Sequence, residues 1–283
     1  MKTFAAITLI GKDRSGAIAA VTQFLFQHKA NIEALEEQVS RGQFSMTLQA
    51  SWASPLFSEQ IPVVRSGLQQ LARRLKMELK LDVAPRRERQ RMALFVTKEP
   101  HVLEAVLEAV KNKTIQADPV LVLGNRADLK PVARKYGLPF YRVDYSERSQ
   151  AEHRTLQILE KEKIDFIVLA RFMKILSPDF VWRWKNKIIN IHPSLLPAFP
   201  GASAYRQAYE KGVRIVGVTA HFVTPDLDQG PIIWQEAFQA KPNEPLHSIS
   251  NRGKAAESKC LVKALSLYLK NRLDVHWGRV YGN

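Results

Sequence analysis

Hydrophobic and polar positions along the first eighty residues follow alternating strand and helix periods. The apolar run Phe4–Ile10 predicts a strand, and residues three or four apart in Ala17–His28 predict a helix. Two β-forming runs, a second helical stripe and an alternating segment follow, at Asn31–Val39, Gln43–Trp52, Ile61–Lys76 and Met77–Val83. The resulting order β-α-β-β-α-β predicts a ferredoxin-like α+β domain.

Beyond residue 91, short apolar runs alternate with helical stripes. The predicted strands are Met92–Val96, Val120–Leu123, Phe140–Val143, Phe166–Leu169, Ile188–Ile191, Gly217–Phe222 and Ile232–Phe238. The predicted helices are Pro100–Val110, Ala127–Tyr136, one that contains Arg154–Glu162, and Leu246–Leu269. This alternation predicts a doubly wound, mostly parallel α/β sheet.

The two patterns meet at Pro85–Arg91, which combines a proline with a run of charges and has no apolar periodicity. We therefore predict one domain over residues 1–84, a basic linker over residues 85–91 and a second domain over residues 92–283.

Composition constrains the class of protein. Of 283 residues, 46% are hydrophobic and 24% charged, as in globular proteins with sizeable cores. No apolar run is long enough to span a membrane. The first apolar run meets Lys12, Asp13 and Arg14 without a cleavage site, so we expect a cytoplasmic protein. The single cysteine, Cys260, excludes an internal disulfide and is expected to pack in the core, and no histidine spacing indicates a metal.

The net charge of +15 raises the question of nucleic-acid binding. The excess is +3 in residues 1–84, +3 in the linker and +9 in residues 92–283, so it is diffuse outside the linker. Because no recognition motif or dense basic stripe accompanies it, we expect no nucleic-acid partner. A diffuse positive field also attracts acidic small molecules.

The densest candidate chemistry lies in KIINIHPSLLP. Asn190 and His192 are two apart on a predicted strand and therefore share one face. Pro193 ends regular strand pairing, which places both at the carboxyl end of the strand, where open α/β sheets bind ligands. An amide and a protonated imidazole can together stabilise the oxyanion of a tetrahedral intermediate. Asp226 or Asp228, in the loop after the next strand, can supply a carboxylate to His192, or can organise the turn.

NIHPSLLP, followed by HFV and DLDQGPII, resembles the folate-dependent formyltransferase superfamily over about Met92–Leu269. The resemblance implies Asn190, His192 and Asp228 as catalytic residues. It also implies a folate site formed by ARFMKILSP and by the loop that begins at residue 223, with contacts from Met173, Lys174, Leu176, Val223 and Asp226. The alternative for Met173 and Leu176 is core packing. We expect His221 to satisfy a local hydrogen bond rather than to act in catalysis.

The N-terminal segment ITLIGKDRSGAIAAVTQFLFQHKANI resembles ACT regulatory domains. That resemblance implies that Gly11, Asp13 and Gly16 contact an amino-acid effector and that the protein forms a homo-oligomer. The alternative is that the glycines make a tight turn while Asp13 caps the helix or turn.

The acceptor of the formyl group is a separate question. The segment LFVTKEPHVLEAVL lacks the Gly-rich loop that holds the substrate phosphate in glycinamide ribonucleotide formyltransferases. An ACT-like domain fused to this core resembles the formyltetrahydrofolate deformylases, hydrolases that use water and act in one-carbon metabolism and purine biosynthesis. The resemblance implies 10-formyltetrahydrofolate as substrate without a tightly bound cofactor, with His101 on the acceptor side. His101 can instead cap or pack at an early helix turn.

Three departures from the deformylase pattern, Pro193, Arg206 and Trp234, bear on the acceptor pocket. Two alternatives to hydrolysis therefore stay open. In the first alternative, the chain transfers the formyl group to an amine such as glycinamide ribonucleotide. In the second, it is a non-catalytic regulator that binds folate and amino acids.

Overall fold

The computed structural model describes residues 2–40, 42–53, 57–83, 89–270, 273–276 and 278–282. They divide into two compact units, Met1–Arg87 and Glu88–Asn283. Among the residues described, no helix has the length and apolar character needed to cross a membrane.

The first unit is an antiparallel sheet packed against two helices. Its elements are β1 (Lys2–Lys12), α1 (Ala17–Gln27), β2 (Asn31–Ser40), β3 (Gln43–Ala53), α2 (Phe57–Leu75) and β4 (Glu78–Val83). The strand order β2-β3-β1-β4 is that of the predicted ferredoxin-like domain, which is confirmed. Inward-facing side chains of alternate strand positions meet the apolar stripes of both helices, including Ile7, Leu9, Val21, Leu25, Met46, Leu48, Val64 and Leu68.

Backbone geometry accounts for the two glycines at the turn between β1 and α1. A Cβ on Gly11 would lie 2.6 Å from the Met77 side chain, and Gly16 adopts a φ of +84° just before α1. Gly16 is the N-cap residue of α1 and no described side chain caps this helix end, so the alternative in which Asp13 caps the helix is wrong. Asp13 is exposed, and its backbone N–H donates to the Gly42 carbonyl at 2.9 Å.

The second unit is a three-layer α/β structure. Its elements are β5 (Gln90–Val96), α3 (His101–Lys111), β6 (Ala117–Gly124), α4 (Lys130–Lys135), β7 (Phe140–Arg142), α5 (Arg148–Lys161), β8 (Phe166–Ala170), α6 (Pro178–Arg183), β9 (Ile188–His192), α7 (Ala204–Glu210), β10 (Ile215–Phe222), β11 (Ile232–Gln239), α8 (Leu246–Leu269), β12 (Leu273–His276) and β13 (Arg279–Gly282). The main sheet has the order β11-β10-β9-β8-β5-β6-β7. Strands β7, β6, β5, β8 and β9 pair in parallel, whereas β10 pairs antiparallel with β9 and β11. The predicted mostly parallel sheet is confirmed.

Helices cover both faces of this sheet. Successive residues of β5 point to opposite sides, so Leu94 packs in the core that contains α3 and α8, whereas Phe95 packs in the core that contains α5 and α6. Cys260 lies fully buried in the first of these cores, where burial raises the pKa of its thiol to about 12. A thiol in this environment packs and does not react.

The structure differs from the predicted elements in two local respects. β5 begins at Gln90, so Gln90 and Arg91 belong to the sheet rather than to the predicted linker; residues 84–88 lie outside the described part of the chain. The backbone N–H of Arg91 donates to Asp165 Oδ2 at 2.8 Å, a long-range bond that no local pattern contains. Helix α6 and the β12–β13 hairpin were not predicted, because both are too short to show a clear period.

The strand order indicates the edge of the sheet at which a ligand site is expected. From β5 the chain moves outward through β6 to β7 and then returns to β8 on the other side of β5. Open α/β sheets bind ligands at such a reversal, beyond the carboxyl ends of the strands. In the parallel pair, Leu169 of β8 lies opposite Asn190 of β9, so the end of β9 faces this region.

Candidate functional site

The structure brings the three predicted catalytic residues into one cavity of about 470 Å³. Asn190 and His192 lie two apart at the end of β9 and both line it, as strand geometry requires. Asp228 reaches the same cavity from the loop between β10 and β11. His192 is buried and Asn190 half-buried, so both polar groups are removed from most of the solvent.

His192 lies between two hydrogen-bond acceptors. Its Nδ1 is 3.3 Å from Asp228 Oδ2, and its Nε2 is 3.0 Å from the carbonyl oxygen of Phe199. A carboxylate and a carbonyl can only accept, so both contacts are satisfied when each ring nitrogen carries a hydrogen. The geometry therefore gives each ring nitrogen of His192 an acceptor to face.

Asn190 is oriented by a second histidine. Its Nδ2 lies 3.1 Å from His221 Nε2, while His221 Nδ1 donates to the Phe222 carbonyl at 2.8 Å. Burial lowers the pKa of His221, outweighing the Phe222 carbonyl and Asp228, which raise it. In the neutral ring Nδ1 donates and Nε2 accepts from Asn190, leaving the second N–H of the amide for a ligand.

His221 is the residue whose role the sequence analysis missed. The expected local hydrogen bond exists, to the adjacent Phe222, but the ring also fixes Asn190. Residues 190 and 221 face each other because β9 and β10 pair antiparallel. The signal that could have found this contact was a second histidine near the end of the next predicted strand.

The loop that carries Asp228 has a tightly defined backbone. Asp228 itself adopts a φ of +56°, and its Oδ2 accepts a hydrogen bond from the Gly201 N–H at 2.8 Å. Two residues later the chain passes so close to β10 that a Cβ on Gly230 would lie 1.7 Å from the Phe222 carbonyl oxygen. Only glycine permits this approach, and the approach keeps Asp228 beside His192.

Most of the predicted folate contacts also line the cavity. Met173, Lys174, Leu176 and Val223 do so. Met173 is 56% exposed, so core packing does not account for it, whereas Leu176 is buried as well as lining the cavity. The prediction that Asp226 contacts the folate needs correction, because Asp226 is exposed and absent from the cavity lining. Its backbone carbonyl accepts a hydrogen bond from the Thr224 hydroxyl at 3.1 Å.

The prediction that His101 lies on the acceptor side also needs correction, because His101 does not line the cavity. At the start of α3, its Nε2 lies 3.0 Å from Oε2 of the buried Glu257. Glu257 also accepts from the Tyr205 hydroxyl at 2.7 Å, and Tyr205 does line the cavity. His101 therefore contacts the cavity wall from behind rather than from inside.

Among the described residues, no group of three or more His, Cys, Asp or Glu side chains is arranged to hold a metal ion. The amide of Asn190, the imidazole of His192 and the carboxylate of Asp228 are suited to hydrogen bonding, charge stabilisation and proton transfer at a carbonyl centre.

Comparison with known proteins identifies both units. Residues 90–265 match the family model described as formyl transferase, and residues 3–82 match that of the ACT domain. The formyltetrahydrofolate deformylase of Bacillus subtilis is 34% identical over 269 residues, which cover 93% of this chain and 88% of that protein.

Solved structures agree. A formyltetrahydrofolate deformylase from Pseudomonas syringae superimposes with a TM-score of 0.68 at 27% identity, over 100% of this chain and 94% of that one. Glycinamide ribonucleotide transformylase 1 from Symbiobacterium toebii superimposes with a TM-score of 0.67 at 31% identity, but the match covers only 70% of this chain and 95% of that one. With its ACT domain followed by a formyl transferase domain, this chain belongs to the formyltetrahydrofolate deformylase family.

Proposed function

We propose that this chain hydrolyses 10-formyltetrahydrofolate to formate and tetrahydrofolate, with Asn190, His192 and Asp228 as the catalytic residues. The observation that carries the proposal is the 3.3 Å ion pair of His192 with Asp228 in the cavity that Asn190 also lines. The near full-length similarity to deformylases supports water, rather than an amine, as the acceptor.

Asn190 and His192 stabilise the negative charge that develops on the formyl oxygen. The second N–H of Asn190 donates to that oxygen, since its first is bound by His221. His192 contributes the positive charge of its imidazolium, held in place by Asp228 and the Phe199 carbonyl. In other enzymes the loss of one such donor raises the barrier by roughly 3–4 kcal/mol.

Asp228 positions and deprotonates the attacking water. Its Oδ2 is used by Gly201 and His192, whereas the nearest described partner of Oδ1 is His221 Nε2 at 4.0 Å. Oδ1 takes a proton as the water oxygen adds to the formyl carbon. The C–N10 bond then breaks, N10 receives that proton, and formic acid ionises to formate.

The folate lies against apolar side chains that line the cavity. Met173, Leu176 and Val223 contact the pterin, and the loop from Val223 to Asp228 encloses it. Lys174 places a positive charge at the same wall. Asp226 has no role in the proposed folate binding, because it is exposed and does not line the cavity.

An acceptor-free assay tests the activity and its residues together. The parent protein is expected to release formate from 10-formyltetrahydrofolate without any amine, and Asn190→Ala and Asp228→Asn to lower kcat by about a hundredfold or more. Asp226→Asn, which removes a carboxylate from the same loop, is the matched control and is expected to retain parent activity. Release only after glycinamide ribonucleotide is added would identify a transferase. Full activity of the Asn190 and Asp228 variants would contradict the proposed roles.

The ACT domain supports an amino-acid effector at Gly11, Asp13 and Gly16 and assembly as a homo-oligomer. Within the described part of the chain no side chain caps the start of α1 behind Gly16, which leaves the first N–H groups of the helix open to a carboxylate. Formate release is measured with and without methionine or glycine, in the parent and in Asp13→Ala. An amino-acid effect that persists in the variant, or that is absent from the parent, would contradict this site.

A further inference from the structure

Arg171 is a cation in the cavity wall that the proposed chemistry does not use. It follows β8 directly, lines the cavity that contains the catalytic residues, and has a side chain that is 21% exposed. Its Nε is buried and has no hydrogen-bond acceptor within the part of the chain that the structure describes. Because a guanidinium carries five N–H donors in a rigid fork, this side chain has binding capacity for a ligand.

Glu257 holds the charge of Arg171 in place without using its donors. This fully buried carboxylate of α8 accepts from Tyr205 through Oε1 and from His101 through Oε2. Arg171 Nε stays 3.5 Å from Oε2 without forming a hydrogen bond, close enough for the two charges to attract. Glu257 is therefore a counter-charge beside the Nε of Arg171, and no described residue accepts a hydrogen bond from the guanidinium.

The backbone of Arg171 is a second, independent observation. Its φ is +63°, in the left-handed region that glycine adopts freely and that is strained for residues with a Cβ. Strained residues beside a cavity are often held there for function. The lining position, together with a guanidinium for which the described residues provide no hydrogen-bond acceptor, indicates a capacity to bind an anionic ligand.

We propose that Arg171 binds the carboxylate of formate, the product that each turnover creates in this cavity. The inference rests on the proposed hydrolysis, in which water oxygen adds to the formyl carbon, the C–N10 bond breaks, N10 gains a proton and formic acid loses one. Formate is a planar carboxylate, and a guanidinium fork binds such a group through two parallel N–H···O bonds.

The glutamate carboxylates of folate offer the same chemistry, so the experiment must separate the two sources. Initial rates of tetrahydrofolate formation are measured against sodium formate at constant ionic strength. Formate is expected to inhibit the parent, and Arg171→Gln to raise the inhibition constant for formate roughly tenfold or more with KM for the folate within about twofold. A raised KM with an unchanged formate constant would assign Arg171 to the substrate, and a parent that formate does not inhibit would equally overturn the proposal.

Two further variants keep the test decisive. Arg171→Lys retains the counter-charge for Glu257 but loses the guanidinium fork. This variant is therefore expected to fold like the parent but to bind formate more weakly. Arg206→Gln removes a positive charge from another, exposed position in the cavity lining and is expected to change the formate constant by less than about twofold. An equal rise in Arg206→Gln would reduce the effect to general electrostatic attraction and overturn the proposal.

Formate binding is also measured without turnover, through its stabilisation of the folded parent against thermal unfolding. Stabilisation by formate that Arg171→Lys loses is the expected result, and equal stabilisation of both proteins would contradict the proposal. If the parent binds formate through Arg171 but releases none from 10-formyltetrahydrofolate, the proposed function fails while the carboxylate site stands.

Discussion

Two histidines at the carboxyl end of β9 and β10 lie near one carboxylate, yet their surroundings set opposite roles. His192 Nδ1 is 3.3 Å from Asp228 and its other nitrogen faces a carbonyl, so both nitrogens face acceptors. His221 Nε2 is 4.0 Å from Asp228 and receives the Asn190 N–H, so one nitrogen must accept. In the proposed mechanism the His192 ring supplies charge, whereas the His221 ring fixes the direction of the Asn190 amide.

His221 is therefore expected to act as a positioning residue for Asn190. His221→Phe removes the acceptor, and kcat is expected to fall by about tenfold to a hundredfold because the amide can then turn its oxygen toward the formyl oxygen. His221→Gln offers a carbonyl acceptor from a similar distance and is expected to recover much of the loss. Measured kcat and KM check this, and identical loss in both variants would argue for a merely structural role.

The buried ring also makes stability depend on pH. Burial lowers the pKa of His221 below its ordinary value of 6.5, so in acid the unfolded chain binds a proton that the native ring does not. Stability is thus unaffected by this group above that value and falls as pH drops below it, by up to about 1.4 kcal/mol per pH unit.

Urea unfolding at about pH 7.5 and about pH 5.5 measures the effect, with His221→Gln as the reference that lacks the group. The parent is expected to lose more unfolding free energy in acid than the variant. Equal losses would show that His221 titrates alike in both states.

Between elements, Thr219 of β10 ties the loop after His192 to the sheet. Its fully buried hydroxyl donates to the Ser194 carbonyl at 2.7 Å and accepts from the Leu196 N–H at 3.0 Å. Gln235 of β11 donates to the same hydroxyl at 2.9 Å. Three partners from one strand and one loop thus depend on a single oxygen of Thr219, a residue that lies opposite His192 in the sheet register.

Thr219→Val keeps the shape of the side chain and removes that oxygen. The Ser194 carbonyl and the Leu196 N–H lose their side-chain partner, so we expect a loss of about 2–4 kcal/mol in unfolding free energy. Thr47→Val is the matched control, because the buried Thr47 hydroxyl has no hydrogen-bond partner among the described residues. Denaturant unfolding of both variants checks the difference, and similar stabilities would contradict the assigned role.

For the whole molecule, the net charge of +15 acts on a folate whose glutamate is anionic. Such a field accelerates association at low ionic strength and is screened by salt. We expect kcat/KM to fall as sodium chloride rises from about 0.02 M to about 0.2 M, while kcat stays nearly constant. Steady-state kinetics at fixed pH measures both, and a kcat/KM that does not respond to salt would rule out steering.

The periods of the sequence by themselves determined much of this protein. A two-residue period places Asn190 and His192 on one face, and Pro193 marks the end of that strand, because both are local properties of the backbone. The order of strand and helix periods determined the ferredoxin-like and doubly wound folds for the same reason.

The tertiary structure decided which neighbours those residues meet. His221 faces Asn190 only because β10 runs antiparallel to β9, and Asp228 rather than Asp226 meets His192 only because Gly230 lets the loop approach Phe222. Likewise His101 contacts Glu257, 156 residues away, instead of the cavity. Such contacts depend on strand pairing and packing between distant segments, and a local pattern fixes the direction of a side chain but not the group that it reaches.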